Sequence, residues 1–137
     1  MDNNEELNKY GITALETFYM ERAAEKLALL AKDRGWDDNL PEAGTREALW
    51  FDGTQYALFA SEISEALEGL RKGKQDEHCP AFTNEEVELA DAIIRIFHYA
   101  ARKKLRMFDA LRAKNKYNIT REDHSREARA KEGGKAF

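Results

Sequence analysis

The sequence predicts an all-α protein, an antiparallel helical bundle of four to five helices completed by oligomerisation. Three observations carry this reading. Alanine and leucine dominate the 137 residues while valine occurs once, at Val87, which disfavours a β-rich fold. Apolar residues recur at mixed three- and four-residue steps along three long stretches. The two prolines, Pro41 and Pro80, fall between those stretches and not inside them. With 42% hydrophobic residues, the chain has the material for a core without disulfides or metals. Its length fits a single domain over 1–137.

The first predicted helix runs from about Leu7 to Lys32, with Leu15, Phe18, Tyr19, Ala23, Leu27 and Leu30 as its apolar positions. Gly35 ends it, and Gly35-Trp-Asp-Asp-Asn-Leu-Pro41 reads as a loop. A short helix around Arg46–Phe51 precedes a second long one that is expected to open at Asp52. There Asp52-Gly-Thr-Gln55 has the form of a capping box, in which two side chains satisfy free backbone amides. Tyr56, Phe59, Ile63, Ala66, Leu67 and Leu70 make its stripe, closed by Gly73 and the polar run Lys74–Cys79. The third long helix opens at Thr83-Asn-Glu-Glu86, again a capping pattern, with Leu89, Ala90, Ile93, Ile96, Phe97 and Ala100 facing one way. Its end is not marked by Gly or Pro, and Asp109–Arg112 belongs to a further, shorter helix. From Tyr117 the periodicity stops, so the polar, basic tail at about 121–137 is expected to be extended or mobile. Leu58, Val87 and Ile94 lie off the main stripes and form a second apolar strip, which calls for burial against another helix or subunit.

Charge is divided along the chain. The net charge of −4 is the sum of −11 over residues 1–101 and +7 over residues 102–137. No apolar run approaches the roughly 20 residues that a membrane span requires. The polar, acidic start Met-Asp-Asn-Asn-Glu-Glu is unlike a secretory signal, and the single Cys79 fits a reducing compartment, so a cytoplasmic location is expected. The basic tail alone would suit nucleic acid, but repulsion between phosphate and the acidic body disfavours that partner.

Two acidic pairs stand on the two best-defined helices, Glu62/Glu65 and Glu88/Asp91. Each is spaced i, i+3, which puts both carboxylates on one helical face. Brought together across a helix contact, four carboxylates repel unless protons or a cation sit among them. All-oxygen carboxylate ligands suit Mg²⁺, Mn²⁺ or Ca²⁺. A solvated face is the competing account: at 100° per residue Glu88 and Asp91 lie nearly opposite the Ile93 stripe, where Asp91 would pair with Arg95. A di-iron bundle needs two Glu-x-x-His motifs. The residues three before His78, His98 and His124 are Gln75, Arg95 and Arg121, so that motif is absent.

The arrangement Glu62-x-x-Glu65, a 22-residue spacer (66–87) and Glu88-x-x-Asp91 resembles the signature of the MazG-like all-α nucleoside triphosphate pyrophosphohydrolases. The resemblance extends through Asp91-Ala-Ile-Ile-Arg-Ile, Lys114-Asn-Lys-Tyr-Asn118-Ile-Thr-Arg121 and Lys131-Glu-Gly-Gly-Lys-Ala-Phe137, and covers about residues 52–137. Ser61 stands where a doubled Glu is common, His98 where relatives often carry Asp, and Glu132 where the tail has His. The resemblance implies an enzyme that converts an NTP or dNTP to the monophosphate and pyrophosphate with Mg²⁺, or Mn²⁺ in its place, working as a homodimer or tetramer. Glu62, Glu65, Glu88 and Asp91 would hold the metal, with Glu62 or Glu65 activating water. Lys114, Asn118 and Arg121 would grip phosphate oxygens, and Lys135 could join them. No Gly-rich phosphate loop of the Gly-x-x-x-x-Gly-Lys type exists, so side-chain cations and metal must do that work. The alternatives are a sibling reaction such as phosphoribosyl-ATP hydrolysis, and a non-catalytic helical module that binds nucleotide or metal or only assembles. Other residues invite plainer readings. Trp36, Trp50 and Phe51 suit a core, His98 a surface or supporting position, Lys103 and Lys104 a solvated helix end, and Cys79 lacks a His to make it a nucleophile.

Overall fold

A computed structural model describes residues 3–121, 123, 125–131 and 133. The all-α expectation holds. The helices are α1 (Asn3–Tyr10), α2 (Ala14–Asp33), α3 (Arg46–Lys72), α4 (Asn84–Arg102), α5 (Met107–Thr120) and α6 (Arg126–Ala130), the last a single five-residue turn. Among the described residues, β pairing is confined to an isolated bridge between Gln75 and Thr83. No helix there is long and apolar enough to cross a membrane.

Several boundaries differ from expectation for local reasons. The first predicted helix is two helices, broken at Gly11-Ile-Thr13. The Gly11 amide closes α1 on the Leu7 carbonyl at 2.9 Å. Thr13 and Glu16 then form a reciprocal cap: the Thr13 amide donates to Glu16 Oε2 at 2.7 Å, and the Glu16 amide to Thr13 Oγ1 at 3.2 Å. Conversely, the expected break before Asp52 does not occur. The helix is already open at Thr45, whose hydroxyl accepts from the Ala48 amide at 3.2 Å, and Asp52 lies inside it. At Thr83 the capping box forms as predicted. The unmarked end of α4 is a Schellman motif, with Leu105 N–H on the Ala100 carbonyl and Lys104 N–H on that of Ala101. Lys104 takes the left-handed conformation (φ 53°) that glycine usually supplies. In the tail, residues 126–130 are helical behind an N-cap at Ser125, which corrects the expectation of extended chain there.

The chain packs as two compact units, one of Met1–Glu21 with Arg106–Phe137, the other of Arg22–Leu105. In the first, α1 packs on α5, and the Ile12 amide donates to Asn115 Oδ1 at 2.8 Å. Phe108 and Thr17 are buried there.

The second unit is built on the α3/α4 hairpin. Contacts pair Gly69 with Glu85, Glu62 with Arg95, Tyr56 with Tyr99 and Asp52 with Lys103, so position numbers fall along one helix as they rise along the other. The helices are antiparallel. At Gly69 they come so close that a Cβ would lie 2.8 Å from the Glu85 backbone nitrogen. The buried positions are Glu62, Ala66 and Gly69 on α3 and Ala92, Tyr99 and Ala100 on α4. The face turned inward is therefore the small, acid-bearing one. Most of the predicted apolar stripe points out: Ile63, Leu67 and Leu70 are 52–58% exposed, and Leu89 and Ile93 are also exposed. Lys103 is no free helix end, since its ammonium meets Asp52 Oδ2 at 2.6 Å.

Candidate metal centre

The inward face of the hairpin gathers the predicted acids. One oxygen each from Glu62, Glu65 and Glu88 lies within 4.8 Å of the other two, the spacing of ligands around a single cation. Asp91, one turn further along α4, stands beside this triplet and feels the charge of Glu62 and Glu65. The solvated-face account of Asp91 does not hold, because Glu88 and Asp91 are both half-buried. Nor is Asp91 the hydrogen-bonded partner of Arg95. The Arg95 Nε donates across the hairpin to Glu62, which is only 6% exposed.

The electrostatics are those of a site short of positive charge. Burial pushes the Glu88 carboxyl above its ordinary value, and the charges of Glu65, Glu62 and Asp91 push it further, against a hydrogen bond from Asn84. Burial also raises Asp91, with Glu62 the largest charge acting on it and Arg95 pulling the other way. Carboxylate oxygens alone make a hard donor set that fits Mg²⁺ or Mn²⁺.

The loop between α3 and α4 holds Glu88 in place. Asp76 accepts the amides of His78 at 2.9 Å and Cys79 at 2.8 Å, and its other oxygen takes Asn84 Nδ2 at 3.2 Å. Those hydrogen bonds, Cys79's foremost, hold the Asp76 carboxyl below its ordinary value. The same Asn84 amide reaches Glu88 Oε1 at 3.0 Å. Sequence reasoning passed over Asp76 and Asn84. The signal was present in Asp76-Glu-His-Cys79, an acidic residue two and three positions before amides it can cap.

Two cavities flank the acids. Toward the start of α4, a polar one of about 310 Å³ is lined by Glu65 and Glu88 together with Lys72, Lys74, Asp76 and His78. Toward its end, a larger one of about 530 Å³ is lined by Asp91 and Arg95 with Leu27, Leu30, Trp36, Ile94 and His98. Trp36 is not core, being 64% exposed. It is presented by a Schellman motif closing α2: its amide donates to the Ala31 carbonyl at 2.9 Å, while Gly35 turns the chain at φ 75°. The next residue, Asp37, takes His98 Nε2 at 2.9 and 3.1 Å. Asp37 is in turn flanked by Arg102 at 3.9 Å, whose guanidinium lies over the Phe51 ring at 5.0 Å. His98 is therefore a half-buried, oriented residue and not a surface one. Trp50, also predicted as core, is exposed.

Lys114, Asn118 and Arg121 belong to the other compact unit, on α5 and its C-cap. The Lys114 ammonium lies 4.7 Å from the Tyr117 ring centre, and Arg121 covers the same ring at 5.4 Å while binding Asp123 at 2.8 and 2.5 Å. Lys135 lies outside the described residues. Cys79 is exposed, and its amide serves Asp76.

No family model, curated protein or solved structure matches the chain.

Proposed function

We propose that the chain is a Mg²⁺-dependent nucleoside triphosphate pyrophosphohydrolase, converting an NTP or dNTP to the monophosphate and pyrophosphate. The observation that carries this reading is the convergence of Glu62, Glu65 and Glu88, with Asp91 beside them, across one helical hairpin. Half-buried carboxylates with raised proton affinity are costly to keep without a function for them. Mg²⁺ held there supplies charge that screens the polyphosphate and polarises its phosphorus–oxygen bonds.

The chain's own residues divide the remaining work. Glu65, the exposed member of the triplet and steadied by Ser61 Oγ at 3.2 Å, would orient and deprotonate an attacking water. Glu62, buried and bound by Arg95, holds its oxygens in fixed positions. Asn84 orients Glu88. Lys72 and Lys74 line the same cavity as Glu65 and Glu88 and would meet phosphate oxygens by exchanging their present partners Glu68 and Glu77. Lys114, Asn118 and Arg121, which the motif resemblance names as phosphate ligands, belong to the other compact unit and are given no role at this cavity. The exposed apolar stripes of α3 and α4 favour assembly as a homodimer or tetramer.

The test is pyrophosphate release from the common NTPs and dNTPs with Mg²⁺. Glu65→Gln and Asp91→Asn are expected to lower turnover by at least about a hundredfold, the usual worth of a general base or a charged electrostatic group. Turnover unchanged in both would overturn the site. Mg²⁺-dependent nucleotide binding without pyrophosphate release would instead favour a binding module.

A further inference from the structure

We infer that the 530 Å³ cavity beside Asp91 is the nucleobase pocket, with Trp36 as its stacking surface and His98 as the residue that reads the base edge. This rests on the triphosphate reading of the acidic site. Three features of the cavity support it. It is contiguous with the acids, because Asp91 and Arg95 line it while Arg95 also binds Glu62. A nucleotide with its phosphates at the acids has its base within one or two helical turns, which is the separation along α4 from Asp91 to His98. Its size falls in the range of about 300–1,000 Å³ usual for small-molecule sites.

The two flanking cavities also differ as the two ends of a nucleotide do. The one at Glu65 and Glu88 carries Lys72 and Lys74, whereas the one at Asp91 is walled by Leu27, Leu30 and Ile94 with an exposed indole. Apolar walls and an aromatic face suit a base, whose stacking tolerates any ring. Discrimination then falls to His98, the polar lining residue set apart from Asp91 and Arg95 at the acidic end. His98 donates its Nε2–H to the Asp37 carboxylate, which orients the ring and leaves Nδ1 for the base edge; in a neutral imidazole that nitrogen is an acceptor. An acceptor there selects an N–H on the base edge. The Schellman turn at Gly35 places Trp36 and Asp37 together, so the stacking face and the residue that orients His98 come from one dipeptide.

The experiment compares steady-state pyrophosphate release from the four dNTPs by wild type, Trp36→Ala and His98→Gln, with inorganic tripolyphosphate as a competitive inhibitor lacking a base. Trp36→Ala is expected to raise KM for each dNTP roughly five- to a hundredfold, the range of one base–aromatic stack, and to leave tripolyphosphate inhibition unchanged. His98→Gln is expected to change the ratios of kcat/KM among bases. Unchanged KM and unchanged ratios in both variants, in an enzyme that does release pyrophosphate, would overturn the pocket and leave the pyrophosphohydrolase reading standing. If no dNTP is hydrolysed, that reading falls, and the pocket is judged separately. In a Trp50→Phe background Trp36 is the sole indole. Saturable quenching by deoxynucleoside monophosphates but not by ribose 5-phosphate sustains the pocket, and no quenching by either rejects it.

Discussion

Two glycines in α3 give opposite predictions for the same substitution. At Gly69 a Cβ would stand 2.8 Å from the Glu85 nitrogen, 2.9 Å from Asn84 Oδ1 and 3.1 Å from the Asn84 carbonyl carbon. Two of those three atoms are backbone and cannot swing aside. Overpacking of this kind costs about 1–3 kcal/mol, and the rigidity of the neighbours argues for the upper end. Alanine's better helix propensity returns about 1 kcal/mol. Gly69→Ala should therefore destabilise by about 2 kcal/mol. At Gly53, in the same helix, nothing lies within 4 Å of an added Cβ. Gly53→Ala should gain about 0.5–1 kcal/mol from propensity alone. The two variants thus differ by about 3 kcal/mol, measurable as a shift in the urea midpoint at 222 nm with the slope unchanged and protein concentration fixed. Because Asn84 orients Glu88, Gly69→Ala should also weaken Mg²⁺ binding, while Gly53→Ala should not. If Gly69→Ala were as stable as wild type, or moved with Gly53→Ala, the close helix approach would be refuted.

The raised carboxyls of Glu88 and Asp91 set a pH dependence in the metal-free protein. Their unfolded forms lose protons first, so their contribution is fully present below ordinary carboxylate values and is lost as pH rises through the higher folded values. Melts in EDTA should show this loss, Glu88→Gln should reduce it, and Mg²⁺ should flatten it; a loss unaltered by both would refute the clustering. Asp76 acts with the opposite sign: its depressed carboxyl contributes stability above its ordinary value that is lost as pH falls through the folded value, and Asp76→Asn should remove that part of the acid limb. Arg95→Ala leaves Glu62 buried without its ion partner, which typically costs about 3–5 kcal/mol for a buried pair and less here because Arg95 is half-exposed. Mg²⁺ should restore more stability to Arg95→Ala than to wild type in parallel thermal melts; equal restoration would separate Arg95 from the metal site. Lys104→Gly should stabilise by about 0.5–1 kcal/mol in urea unfolding, because glycine takes the left-handed conformation at φ 53° without a Cβ clash.

What could be read from the sequence depended on whether the signal was local. Thr83-x-x-Glu86 announced the start of α4, since both hydrogen bonds of a capping box lie within four residues. Thr13-x-x-Glu16 carried the same signal and was overridden by an apolar periodicity that runs through Gly11 without a gap. Asp52-x-x-Gln55 had the form of a cap but lay within a helix already nucleated at Thr45, where its partner became Lys103, 51 residues away. The end of α4 had no readable mark, because a lysine occupies the position where glycine would normally announce the turn. Asp76 and Asn84 were passed over because their value depends on Glu88, which the fold brings within reach of Asn84.

The apolar stripes raise a different point. Periodicity states that α3 has two unlike faces but does not say which of them meets α4. The expectation that the larger apolar face turns inward follows from burial energy, at about 25 cal/mol per Å². In the hairpin the adjoining face, which shares Ala66 and Ala100 with the stripes, turns inward, because Ala66, Gly69, Ala92 and Ala100 are small enough to let the two backbones approach. That approach brings Glu62 and Glu65 close to Glu88 on rigid helical supports. Leucines at those positions would bury more area and hold the acids too far apart to share a cation. The exposed Ile63, Leu67 and Leu70 are then the counterpart of the arrangement: burying the narrow face leaves this apolar surface outside the hairpin. The acidic site and the exposed apolar surface follow from the same choice of which face of α3 is narrow.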